Sequence, residues 1–314
     1  MSIATKNPGL QSEPRASRAT AIGPLLMLTS ALMFAVLDIL IKTIGPEFRV
    51  WDIAFYRWGG SFAVMMLIFS WQGNPFKCDN LKMMVFRSIS GCIAFLSLTT
   101  AIRLAPVSTI MVLFYSFPAF AAIFSYLIFG ERISKGEIFC IGAAICGVAF
   151  LLDIRLDGNF LGYILGFIGG AFAGLTVSMI KKLRDTNGPV VIYLYFCLFG
   201  AAVAFPGYIS NPTIPDSAPD WLMIGGIVGT SIVAQITMNQ GFKYCKSWEG
   251  GLFLTCEMIF VAFFGIVYLG EPTSWRFWAG GLLILSSVLI LNRVKAGSNG
   301  HAKNYSPEVR VSIQ

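Results

Sequence analysis

The chain has 314 residues, of which 56% are apolar and only 12% charged, and it carries a net charge of +7. Soluble domains carry roughly 25% charged residues, so the composition excludes a water-soluble fold. The positive excess reads as loop charge on the cytoplasmic face of a membrane rather than as a nucleic-acid surface.

Histidine occurs once, at His301 in a polar terminal stretch, so histidine metal sites and Ser-His-Asp catalysis lack their raw material. No metal and no cofactor are expected. Cys92, Cys140, Cys146, Cys197 and Cys256 fall inside apolar runs, where they read as small hydrophobes, and no disulfide framework is implied.

Crossing a hydrocarbon core takes about 20 mostly apolar residues per helix, because each backbone polar group must find its partner inside the helix. After a polar tail, 1–21, apolar runs bounded by charge, Gly, Pro or Asn fall at 22–44, 52–71, 82–104, 106–129 and 136–152. A second set falls at 160–180, 189–209, 221–242, 248–269 and 275–292, followed by a polar tail over 293–314. The first run is too long for a signal-peptide core and is expected to be retained. The expected fold class is all-α, a polytopic membrane protein of ten transmembrane helices.

Ionisable residues inside a membrane are costly, so each one is a functional candidate. In helix one, Asp38 and Lys42 are four residues apart and share a face. They read either as a neutralised pair or as a cavity-facing Asp38 that binds a cation or a proton. Arg57 lies about five residues into helix two, near the outer headgroup level, and its fork suits a carboxylate or phosphate, or a structural lock to Asp38. Arg87 opens helix three and is explained as a positive-inside anchor. In helix four, Tyr115 and Ser116 stand beside Pro118, which is expected to kink the helix and expose polar groups to a cavity.

Gly166, Gly170 and Gly174 recur every fourth residue in helix six, a pattern for close helix packing rather than a phosphate loop. In helix eight, Gln235 and Asn239 share a face and are candidates for bonding each other, a neighbouring helix or a solute. The tryptophans fall mostly near helix ends, as in an interfacial belt. Glu257 lies nine residues into helix nine, near the midplane, with no basic residue three or four positions away. It is expected to face a cavity and to bind a cationic group or carry a coupling proton. Its structural alternative is a hydrogen bond to a neighbouring helix, for instance to Gln235.

Orientation follows from the loops. Of the 23 basic residues, Lys42, Arg49, Arg103, Arg155 and Arg276 fall outside when the N-terminus is inside, and Arg57 falls within helix two. The rest fall inside, so both termini are expected in the cytoplasm. Sliding the chain by 140 residues sets Gly130-Glu131 on Gly270-Glu271, Phe120 on Phe260 and Lys42 on Lys182. Two units of five helices must then lie in opposite orientation, an inverted repeat over 22–152 and 160–292 of the kind that supports alternating access.

Ala54-Phe55-Tyr56-Arg57, Arg87, Leu104-Ala105-Pro106-Val107 and Phe129-Gly130-Glu131, in this order and spacing, make the chain resemble the EamA-like family of the drug/metabolite transporter superfamily. The second half departs from the pattern, with Cys245-Lys246-Ser247 where the first half has Ala105-Pro106-Val107. The resemblance implies ten helices around a central cavity and solutes ranging over amino acids, nucleotide-like metabolites, vitamins and drugs.

The expected function is a secondary transporter of a small organic metabolite across the inner (plasma) membrane. No nucleotide-binding motif is present to power it, so a gradient or exchange must. Its partners would be the solute, membrane lipids and a proton or counter-solute, with no nucleic acid and a homodimer left open. A multipass membrane enzyme would need a constellation of Asp, His, Cys or Ser at one depth, and none stands out. A lipid scramblase or non-transporting scaffold is the third class.

Overall fold

The computed structural model describes residues 13–45, 47–69, 76–105, 107–130, 133–151, 159–269 and 275–303, and all regular structure among them is helical. The helices are α1 (Glu13–Thr43), α2 (Val50–Phe69), α3 (Leu81–Leu104), α4 (Val107–Phe114), α5 (Phe117–Phe129) and α6 (Lys135–Leu151) in the first half. The second half has α7 (Phe160–Leu183), α8 (Pro189–Ile209), α9 (Ala218–Gly241), α10 (Ser247–Leu254), α11 (Glu257–Leu269) and α12 (Trp275–Lys303). Glu131, Glu271, Pro106 and the 152–158 connection lie outside the described residues.

Local chemistry sets the boundaries. Asn80 accepts from the Met83 amide at 3.0 Å and starts α3, and Asn159 accepts from the Leu161 amide at 2.9 Å and starts α7. Gly130 closes α5 in the left-handed conformation, φ 67°, which glycine adopts without a Cβ penalty. Ser134 and Glu137 cap each other's backbone N–H groups at the start of α6.

Seven helical stretches are long and apolar enough to cross a membrane: Ile22–Thr43, Leu81–Ile102, Ile110–Phe129, Phe160–Leu183, Pro189–Ile209, Ala218–Gly241 and Ser247–Tyr268. The outside of the bundle displays Leu25, Leu67, Leu127, Phe139, Leu222 and Leu282, all highly exposed. Water would not tolerate such a surface, whereas lipid matches it.

Two of those seven stretches are interrupted. The expected helix four is α4 and α5, separated at Tyr115-Ser116, and the expected helix nine is α10 and α11, separated at Thr255-Cys256. The bounds of α4 and α10, and those of α5 and α11, differ by 140 residues at both ends. Each break is a tightened turn, with Ser116 N bonded to Leu113 O and Cys256 N to Phe253 O. Pro118 therefore does not kink a helix interior. It sits in the first turn of α5, where its missing N–H is harmless.

The packing is symmetric under exchange of the halves. α3 packs on α7 as α9 packs on α1, α5 on α7 as α11 on α1, and α3 on α8 as α9 on α2, while α2 faces α8 and α6 faces α12. The glycine stripe of α7 makes this possible. A Cβ on Gly170 would come within 2.9 Å of the Leu113 and Phe114 carbonyl oxygens, and one on Gly174 within 2.7 Å of the Ala121 amide. Helix α7 thus touches the backbone of the broken helix directly.

Other boundaries also differ from the sequence reading. α1 begins at Glu13 and α12 runs to Lys303, so helix extends into both stretches read as polar tails. Trp58 and Trp248 are fully buried rather than part of an interfacial belt, and Trp58 packs on Phe95 and Phe196.

Gly174→Ala should destabilise the protein by about 1–3 kcal/mol, because backbone atoms cannot move aside as side chains do. Gly142, where a Cβ meets nothing within 4 Å, provides the control, and Gly142→Ala should be neutral or slightly stabilising. Thermal melts in detergent compare the two, and equal melting temperatures would sink the close-packing role of the stripe.

Candidate functional site

The breaks bring polar groups into the bundle interior. Glu257 is the first residue of α11, at the positive end of its helix dipole, and Tyr115 immediately precedes the break in the other half. Asp38 approaches from α1. Its carboxyl group hydrogen-bonds that of Glu257, and the Tyr115 hydroxyl also bonds Glu257. Two carboxyl groups can hydrogen-bond only with a proton between them. Asp38 and Glu257 lie deep among the helices yet remain partly uncovered, as residues on the wall of an internal space do.

Arg57 completes the cluster. It is buried, and its charge acts on both Asp38 and Glu257. Nε donates to Ser231 Oγ at 2.9 Å, and the guanidinium lies 5.1 Å from the centre of the Phe95 ring. Ser231 is held in turn by the Tyr193 hydroxyl at 3.1 Å, which also donates to Ser61 Oγ at 3.0 Å. The sequence reading set Arg57 near the outer headgroups. In the structure α2 starts at Val50, so Arg57 lies about 10 Å along the helix and faces inward.

The remaining candidates divide. Gln235 accepts from Arg87 Nη2 at 3.4 Å, while Asn239 donates to the Pro189 carbonyl at 3.2 Å and its own carbonyl accepts from Arg184. The two do not bond each other, and Asn239 belongs to a structural knot joining α7, α8 and α9. Ser116 donates to the Leu113 carbonyl at 2.5 Å, which occupies its hydroxyl within the break. Asp38 bonds Glu257 and feels the charge of Arg57.

Arg87 is the residue that sequence reasoning missed. It is not a headgroup anchor but is 1% exposed, stacked 4.3 Å from the Phe196 ring centre. The available signal was its depth, six residues past Leu81 in α3, which a count of loop charges ignores. Ser231 and Tyr193, which position Arg57, were also missed, because a serine or tyrosine in an apolar run carries no signal of its own.

The EamA-like transporter family matches the chain twice, over residues 21–153 and 160–293. The pseudopaline exporter CntI of Pseudomonas aeruginosa strain UCBPP-PA14 is 22% identical, over 88% of this chain and 97% of that protein. Human solute carrier family 35 member G1 is 20% identical, over 88% of this chain and 81% of that protein. A solved crystal structure superposes with a TM-score of 0.75 at 18% identity, covering 88% of this chain and 97% of the other, which shows a shared fold. With both halves matched and apolar helices on a lipid-compatible surface, the chain is a multi-pass membrane protein that belongs to the EamA-like transporter family.

Proposed function

We propose that the protein is a secondary transporter that moves a small organic solute by alternating access, with the Asp38–Glu257–Tyr115 cluster as its coupling or binding centre. The observation that carries this reading is the placement of an acid pair at a helix break that recurs, 140 residues apart, in both halves. Interrupted helices at matched positions of two repeats are where transporters bind solutes and ions. Relatives named as an exporter and as a solute carrier support a small solute as cargo.

The ten apolar stretches act as ten spans in two inverted five-helix repeats, with both termini cytoplasmic in an inner membrane. The interrupted helices α4–α5 and α10–α11 then count as one span each. The proton between Asp38 and Glu257 is the coupling ion, or it is displaced by a cationic group of the solute or by a counter-solute. Arg57, anchored by Ser231, adjusts the charge of the pair as the proton leaves.

The orientation has a direct check at Asp216, an exposed residue of the segment before α9. With Cys78 replaced by serine, Asp216→Cys should react with a membrane-impermeant maleimide in intact cells. Reaction only after the membrane is permeabilised would overturn the assigned topology.

Glu257→Gln keeps the shape and hydrogen bonding of the side chain but removes its titration. The groups facing it are Asp38, Tyr115 and Arg57, and Asp38, the titratable carboxyl that remains, no longer has a second carboxylate with which to share and exchange the proton. The variant should insert and melt normally, yet lose pH-gradient-driven accumulation in reconstituted liposomes while retaining exchange of solute. Accumulation that still follows the pH gradient in this variant rules out the coupling role.

A further inference from the structure

Arg87 is a buried interior charge with no carboxylate partner among the described residues. Asp38 and Glu257 bond each other, and Arg57 is the cation that acts on both. The groups that feel the charge of Arg87 are Cys92, Cys197 and Tyr193, and none of the described carboxylates pairs with it. A guanidinium stays protonated in proteins, so the charge cannot be shed. An unpaired buried charge in a membrane is among the costliest arrangements a fold can hold.

The donors of Arg87 are unused as well. Nη2 reaches Gln235 Oε1 at 3.4 Å, a long and therefore weak bond, while Nε and Nη1 have no partner among the described residues. Arg184 provides the contrast within the same molecule. It is also buried, and its three nitrogens donate to the Asn239 carbonyl, the Gln240 side chain and the Asn187 carbonyl. This fold satisfies an arginine whose role is structural.

We propose that Arg87 is an anion-binding residue of the transport path, and that the solute carries an oxyanion, a carboxylate or a phosphate, which docks on its unused N–H groups. This rests on the transporter reading above. The fork of a guanidinium matches two oxygens of such a group, Phe196 holds the guanidinium plane, and the Gln235 amide offers further donors. Arg87 is closed off in the present state, so docking follows opening of the weak Arg87–Gln235 contact. The cation on α3 and the acid pair at α1 and α11 then serve opposite ends of one solute, or the solute and the coupling proton.

The test is binding to the full-length, detergent-purified protein at constant ionic strength. The probes are succinate, inorganic phosphate and glycerol 3-phosphate, with succinamide as the uncharged control. At least one oxyanion should raise the melting temperature of the wild type, and Arg87→Lys should weaken its half-saturation at least about tenfold, because the ammonium lacks the fork. Succinate or the phosphates acting alone identifies the carboxylate or phosphate source.

Tryptophan emission of the unaltered protein gives a second reading, since Trp58 packs on the same Phe196 ring that carries Arg87. A saturable change with the active oxyanion and none with succinamide supports the site even if Arg87→Lys does not fold. No response to any oxyanion by melting or emission overturns it, as does an equal response in Arg87→Lys. Flux in liposomes is read separately. Arg87-dependent binding without flux would sink the transporter reading alone, and flux without oxyanion binding would sink this site alone.

Discussion

A backbone polar group left bare in hydrocarbon costs several kcal/mol, and this requirement shapes the bundle around its two helix breaks. Each break frees carbonyls that the chain must cover. Ser116 donates to Leu113 O, and Thr255 donates to Leu252 O at 2.7 Å. The glycine stripe of α7 then seals the first break against the Leu113 and Phe114 carbonyls, leaving no room for a Cβ. Once covered, a break places a helix N-terminus inside the protein, and Glu257 stands at one of these. The site is thus a consequence of interruptions that local hydroxyls and distant glycines make tolerable.

The charges follow from the same geometry. Glu257 has no partner along its own helix, and its neighbours come from three others: Asp38 on α1, Tyr115 at the end of α4 and Arg57 on α2. Arg57 does not move freely between them, because Ser231, Tyr193, Ser61 and the Phe95 ring hold it. In the proposed coupling role, a fixed cation beside a movable proton lets the pair exchange that proton without the whole cost of two bare carboxylates. The polar network on α2, α8 and α9 thus positions the cation whose charge acts on the acid pair of α1 and α11.

Much of this was legible in the sequence. Apolar runs located the helices because each span must satisfy its backbone alone, and depth singled out Glu257. The 140-residue slide rested on a handful of residue matches, while the structure shows the same offset in four helix boundaries at each half. The breaks were not legible. Tyr115-Ser116 and Thr255-Cys256 are tolerated within helices, and in lipid the usual amphipathic periodicity is missing, so nothing marks an interruption. Pro118 pointed to the right turn but suggested a kink. Spacing along α1 offered only Lys42 as a neighbour of Asp38, and the contact with Glu257 comes from another helix, which spacing does not show. Arg87 was hidden because Lys82 and Arg87 count alike as inner charges, although five residues of helix separate a headgroup anchor from a buried cation.

The two ends of the bundle are tied across the halves by different sets of bonds. Beside the start of α2, Arg49 grips Asp52 through two bonds of 3.1 Å and also donates to the Gly207 carbonyl, while Thr213 donates to Asp52 at 3.1 Å. Tyr56 adds a bond to the Thr213 carbonyl and an edge contact with Tyr208. At the other end, the halves are joined by the ion pair of Lys246 Nζ and Glu137 Oε1 at 3.5 Å beside the start of α10, by Asp79 N donating to Asn187 Oδ1 at 3.1 Å and by the Tyr195 hydroxyl donating to the Phe76 carbonyl at 3.0 Å. The lysine pair is partly exposed and makes one contact, whereas the Arg49–Asp52 pair is bidentate with a buried carboxylate and carbonyl partners. If the halves rock as proposed, the ties at the two ends open in alternation. The α6–α10 end is the cytoplasmic one in the proposed orientation, and Arg87, six residues into α3, then stands on the cytoplasmic side of the interior, so opening of that end is what brings a solute to it.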